Sequence, residues 1–168
     1  MDLYLVRHAK AIARSFDIPE ENRYLTPEGR NDFREFSGRL AKKGMSPEII
    51  FTSPLIRAVQ TAEILAEALD FSGQLMADTE LSPGFDREGL QRLLGRHTGL
   101  KAAAVVGHEP DLSQLGTALL GIPGGFSLKK GAVLALEYDP DSEDIPARFA
   151  WLQTKGTIVT SLESIPRT

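Results

Sequence analysis

Arginine and histidine stand side by side at positions 7 and 8, directly behind the apolar run LYLV. A strand that merely reaches the surface usually leaves through turn formers such as Gly, Asn, Asp or Pro. The same motif type recurs twice. Thr52, Ser53 and Pro54, with Arg57 one turn further on, follow the apolar run EIIF, and Gly107 and His108 follow AAAVV. In open α/β sheets ligands bind beyond the carboxyl ends of the strands. Three such ends meeting there would put two arginines and two histidines around one cavity.

Those residue types suit a phosphoryl group. Arginine offers a planar fork of donors that grips phosphate oxygens bidentately and stays charged at any working pH. Neutral imidazole is a competent nucleophile near pH 7, its unperturbed pKa being about 6.5. One histidine would attack phosphorus while the other, protonated, would join the arginines on the equatorial oxygens. Ser53 and the amides opening the following helix would add donors at the positive end of its dipole. Phosphoryl transfer gains most of its catalysis from such positioning and charge stabilisation. A zinc site built on His8, His108 and an aspartate is the rival, but two adjacent guanidiniums would repel the cation and no His-x-x-x-His spacing occurs.

The elements that must position these residues are legible from pattern. Leu3 to Val6, EIIFT and AAAVVGH are continuous apolar runs, the form of strands buried on both faces. A loop is expected over 9–25, then a helix through LTPEGRNDFREFSGRLAKKG. Thr26 would cap that helix, Pro27 would open it, Phe33, Phe36 and Leu40 would face the core, and Gly44 would end it. A second helix, capped by Ser53, runs through Leu55, Val59, Ala62, Ala66 and Leu69. A short strand is expected at 75–78, a helix capped by Asp86 through Leu90, Leu93 and Leu94, and another capped by Asp111 through Leu112, Leu115 and Leu119. AVLALEY and ARFAWLQ flank DPDSEDIP as a hairpin or a pair of edge strands. Strands alternating with helices predict a single-domain, three-layer α/β/α fold over 1–168, with a mostly parallel sheet.

Composition narrows the function classes. The chain has 168 residues, 42% hydrophobic and 25% charged, the balance of an ordinary globular domain. A net charge of −4 argues against a nucleic-acid partner, and no apolar run is long enough to span a bilayer. Without cysteine there is no disulfide, thiolate nucleophile or Cys-ligated metal. With no signal-like start either, a cytoplasmic protein without nucleic-acid or membrane partners is expected.

LVRHAK, FTSPLIRAVQTAEIL and VVGHEPDLS, in that order, resemble the histidine phosphatase superfamily, the phosphoglycerate mutase-like or RHG fold. The short chain, with Arg23 ahead of LTPEG, looks most like its SixA-type phosphohistidine phosphatase branch. The resemblance implies that His8 is the nucleophile forming a phosphohistidine intermediate. It implies that Arg7, Arg57 and His108 complete the phosphate pocket, with Arg23 and Ser53 on the substrate side and no metal or other cofactor. The usual glycine of the RHG motif is Ala9 here. The family's middle-strand acid is also displaced: the region reads TELSPGFDREG, leaving Glu80 and Asp86 as the nearby carboxyl groups, Asp86 with a competing role as helix cap. Phosphohistidine expels imidazole, which needs less help from an acid than an alkoxide does. The expected substrate is therefore a phosphorylated protein, such as a histidine phosphotransfer domain or a phosphocarrier. A small-molecule phosphomonoesterase and a phosphate-binding module without turnover are the alternatives.

Overall fold

Leu3, Leu5, Phe51, Ala103 and Val105 pack on one side of a sheet, while Tyr4, Val6, Ile50, Ala104 and Val106 pack on the other. Side chains alternate along a strand, so runs apolar at every position need helices on both faces, and the computed structural model supplies them. It describes residues 1–165 apart from Glu143 and Lys155. Glu143 of the expected hairpin connection and residues 166–168 of the expected domain lie outside the described residues.

The strands are β1 (Asp2–Arg7), β2 (Ile49–Thr52), β3 (Gln74–Ala77), β4 (Ala102–Gly107), β5 (Val133–Tyr138), β6 (Ala147–Thr154) and β7 (Thr157–Val159). They form one sheet in the order β3-β2-β4-β1-β5-β6-β7. β1 to β4 are mutually parallel, whereas β5, β6 and β7 join by antiparallel pairing at β1's free side. The helices α1 (Pro27–Ser37) and α2 (Ile56–Ala68) cover the face of Tyr4 and Val6. On the face of Leu3 and Leu5 lie α3 (Arg87–Gly95) and α4 (Asp111–Leu120). The result is the α/β/α, mostly parallel architecture expected, and among the described residues no helix is long and apolar enough to cross a membrane.

Four local expectations need correction. The first helix stops at Ser37 rather than continuing to Gly44. There the Ser37 hydroxyl donates back to the Phe33 carbonyl (2.7 Å), and the chain tightens into 3₁₀ turns that still carry Leu40 to full burial. Gly44 does close this segment, at φ 82°, a left-handed conformation that glycine adopts without strain. Ser53 is not the cap of α2, because its amide still follows the β2 ladder, donating to the Val106 carbonyl at 2.9 Å; Leu55 is the capping residue instead. Asp111 is the first residue of α4 rather than its cap, and its carboxylate accepts from the Gly84 amide (2.8 Å), tying α4 to the loop before α3. Strand β7 was not anticipated, since three residues are too few to show a period. The caps Thr26 and Asp86 do accept from Gly29 and Gly89, as their spacing predicts.

One glycine fixes the approach of α1 to the loop behind β1. A Cβ placed on Gly29 would lie 2.1 Å from the Lys10 carbonyl oxygen, which is itself bonded by the Thr26 amide. Gly29→Ala therefore forces backbone apart, as overpacking does at a cost of about 1–3 kcal/mol. A melting temperature lowered by several degrees, read by calorimetry, is expected; an unchanged value would show that α1 can move off Lys10 freely.

Candidate active site

Register brings the three polar clusters together. Arg7 lies opposite Gly107 in the parallel β1–β4 ladder, and the His8 amide donates to the Gly107 carbonyl at 3.1 Å. His8 and His108 therefore leave neighbouring strands at the same level, with ring centroids 5.3 Å apart and planes at 57°. On β4's other side Thr52 pairs with Val106, which brings Ser53 Oγ to 2.8 Å from His108 Nε2. Helix α2 follows from there and supplies Arg57 in its first turn. The Thr61 hydroxyl donates to the Arg57 carbonyl (2.6 Å) and accepts from the Ala9 amide (3.0 Å), fastening the helix to the residue after His8. Ala9 is buried, so a small side chain fits this position.

The two guanidiniums are held differently. Arg7 donates through Nη1 to the Leu128 carbonyl. Arg57 donates through Nη1 to the main-chain carbonyl of Glu20 (2.8 Å), and its Nη2 lies 3.0 Å from the Glu20 carboxylate. The Nε atoms of both arginines are buried without a partner, as is Nδ1 of His108. Arg23 gives Nη1 to the same Glu20 carboxylate (2.7 Å), and its Nε and Nη2 to the Ile12 carbonyl. It thus meets Arg57 through a shared acid.

Burial sets the protonation states. Desolvation pushes His8 down to about 3; its hydrogen bond to Ala9 opposes this, and His108, Arg57 and Arg7 reinforce it. His108 falls to about 4, again mainly by burial, with Arg57 and Arg7 lowering it and Glu20 raising it. Both imidazoles are held neutral in the free site, because two guanidiniums already occupy the region and a further desolvated cation is disfavoured. His8 Nδ1 lies 2.7 Å from the Ala9 carbonyl, which can only accept, so the proton of neutral His8 sits on Nδ1. Nε2 is left with its lone pair.

The two acids considered from sequence have partners of their own. Glu80 pairs with Arg92 at 3.0 Å, and Asp86 accepts from the Gly89 amide at the start of α3. Both line a shallow cleft of about 250 Å³ that includes none of Arg7, His8, Arg57 and His108. Two other carboxyl groups were missed. Glu20 meets Arg57, although nothing in its irregular loop marks a partner 37 residues away. Glu109 directly follows His108, and that adjacency was the available signal. Its carboxylate accepts from Ser113 (2.5 Å) and Ser127 (3.4 Å), burial pushes its pKa up, and the charge of Arg7 opposes that rise. Among the described residues no three His, Asp or Glu side chains converge as metal ligands would.

A three-layer sheet that gathers two imidazoles and two guanidiniums at its carboxyl edge defines the phosphoglycerate mutase-like class of α/β folds. Residues 3–83 match the sequence profile of the histidine phosphatase superfamily (branch 1), a stretch that contains Arg7, His8 and Arg57 and ends before His108. By family it is a phosphatase. It is 34% identical over 140 residues to an uncharacterized protein of Picosynechococcus sp., covering 81% of this chain and 84% of that protein. The fold is similar to that of the protein histidine phosphatase SixA complexed with tungstate, with a TM-score of 0.79 at 23% identity over 92% of this chain and 97% of that one. It also resembles a mycobacterial glucosyl-3-phosphoglycerate phosphatase, at a TM-score of 0.64 and 19% identity, covering 88% and 96% of the two chains.

The depressed histidines predict a stability profile. An unfolded histidine titrates near 6.5, whereas folded His8 and His108 do so at about 3 and about 4. As pH falls below about 6.5, the unfolded chain takes up protons that the folded chain refuses, so stability from these groups is complete above 6.5 and declines down to their folded values. Denaturant midpoints measured against pH should show this loss, and His8→Gln and His108→Gln should each remove part of it. Imidazole resonances of both residues titrating near 6.5 would contradict the assignment.

Proposed function

We propose that this chain is a phosphohistidine protein phosphatase working through a covalent phosphohistidine on His8. One observation carries the reading: a neutral imidazole with a free Nε2 faces a second imidazole 5.3 Å away, in a region served by the buried guanidinium of Arg57 and the half-buried one of Arg7. In the first step Nε2 of His8 attacks phosphorus, an N–P bond forms, and the bond from phosphorus to the substrate's imidazole breaks. That imidazole leaves with the electron pair and takes a proton from solvent. In the second step water attacks phosphorus and releases a proton to solvent, the electron pair of the His8–phosphorus bond returns to Nε2, and phosphate departs.

Arg7, Arg57 and His108 hold the phosphoryl oxygens in this scheme, with Ser53 orienting His108 and Arg23 at the substrate side. A bound phosphoryl dianion favours protonation of His108, so the imidazolium expected from sequence belongs to the loaded site. The partner is a phosphorylated protein such as a histidine phosphotransfer domain or a phosphocarrier, and a cytoplasmic setting fits that partner. Two features support the nitrogen-linked substrate. Glu80 and Asp86 are committed to Arg92 and to the α3 cap, and expulsion of imidazole tolerates weak acid assistance. Likeness to SixA supports the same choice.

Turnover of a phosphohistidine protein should exceed that of an alkyl phosphomonoester by a wide margin, since general acid assistance is typically worth ~10² to 10⁴ in rate. His8→Ala should abolish turnover and the acid-labile phosphoenzyme while tungstate still binds. Arg57→Lys should weaken both binding and rate, because an ammonium cannot reproduce the fork. Glu80→Gln should change the phosphohistidine rate little. Equal rates on both substrates, with both collapsing in Glu80→Gln, would favour the small-molecule phosphomonoesterase; near-normal activity of His8→Ala would remove His8 as nucleophile.

A further inference from the structure

The loop between β1 and α1 puts a carboxylate where an incoming phosphate would need to bind. Arg57 is 6% exposed at its side chain, and both of its terminal nitrogens address Glu20, one the main-chain carbonyl and the other the carboxylate. Its remaining nitrogen, Nε, is buried and has no partner. The Glu20 carboxylate also meets Arg23 at 2.7 Å and Arg14 at 3.1 Å. Its pKa lies below the ordinary value: partial burial raises it, but the hydrogen bond and charge of Arg23 and the charges of Arg57 and Arg14 outweigh that. It is therefore an anion at working pH, bound to the guanidinium assigned above to the phosphoryl group.

We propose that Glu20 is a built-in competitor for the phosphoryl group, which must displace the Glu20 carboxylate from Arg57 to bind and is expelled as the carboxylate returns. This rests on the reading of Arg57 as a phosphate ligand. The chemistry of the exchange is balanced on both sides. A phosphoryl dianion brings more charge and more acceptor atoms than one carboxylate, and it can satisfy the orphaned Nε–H groups of Arg57 and Arg7. The displaced Glu20 does not become a lone charge, because Arg23 and Arg14 retain it. The 42% exposure of the Glu20 side chain gives it solvent to move into. The rest of the loop has its own ties, from the Ile12 amide to the Tyr24 carbonyl (3.0 Å) and from the Thr26 amide to the Lys10 carbonyl (2.9 Å), so the exchange need not unravel it. A phosphatase gains from such a device after chemistry, when free phosphate must leave a pocket of buried cations.

Calorimetric titration of the whole protein with inorganic phosphate at pH 7.5 tests this. Glu20→Gln should bind phosphate about tenfold more tightly than wild type, a difference of ~1.4 kcal/mol. Its KM and its inhibition constant for phosphate should fall together while kcat does not rise. Glu21→Gln, one residue along the same turn, should leave phosphate affinity unchanged. Equal or weaker binding by Glu20→Gln would overturn the competitor role while leaving the phosphate site intact. Should Glu20→Gln fail to fold, the wild-type amide resonances of Glu20 to Arg23 decide: they should shift on saturation with phosphate, and unmoved resonances would overturn the proposal. No binding of phosphate or tungstate to wild type would instead sink the phosphate pocket itself, and the competitor with it.

Discussion

The parallel ladder joining β2, β4 and β1 is the constraint on which the site depends. Parallel pairing sets all three carboxyl ends at one edge, and register decides which residues leave it level with one another. With Arg7 opposite Gly107 and Thr52 opposite Val106, the next residues along are His8, His108 and Ser53. A slip by one residue would turn every side chain of a strand to the other face, sending Leu3 and Leu5 where Tyr4 and Val6 belong. The two cores on opposite faces therefore enforce the alignment of the imidazoles. Small residues at Ala102, Ala103 and Ala104 let helices approach the central strand from both sides.

Desolvation then shapes the electrostatics. Four groups capable of positive charge lie in one partly buried region, and the protein accommodates them unequally. The arginines remain charged and are set against acceptors: Arg57 against Glu20, and Arg7 against the Leu128 carbonyl, with Glu109 contributing through its charge. The histidines give up their protons. A site prepared in this way keeps the Nε2 lone pair of His8 available without requiring a base, while the two arginines keep it cationic. The segment at 127–131 is part of the same structure, since the Leu128 amide bonds Ser113 and the Gly131 amide bonds the carbonyls of Arg7 and His8.

The positions of β1 to β6, the fold class and the gathering of Arg7, His8, Arg57 and His108 at the strand ends were legible in the sequence, because each is a local signal. A buried strand is apolar throughout, a helix carries its period and its caps, and a charged pair directly behind an apolar run is conspicuous. Ser53 shows the limit of such signals. Ser before Pro reads as a helix cap, yet sheet register claims Ser53 first, and its hydroxyl ends beside His108. Glu109 could have been noticed beside His108, although its burial between Ser113 and Ser127 depends on how α4 and the segment before β5 meet.

By itself, then, the sequence determined which chemical groups are present, the elements that carry them and the strand ends at which they fall, all of which follow from neighbours in the chain. Tertiary structure alone decided protonation and pairing. Whether His108 is charged depends on water excluded by distant segments, and whether Arg57 is free depends on Glu20, which the irregular loop after β1 brings to it. The partners of Glu80 and Asp86 were likewise settled by the fold, Glu80 pairing with Arg92 and Asp86 capping α3. Hydrophobic pattern is written residue by residue, whereas solvation and charge compensation are properties of what the folded chain puts next to each group.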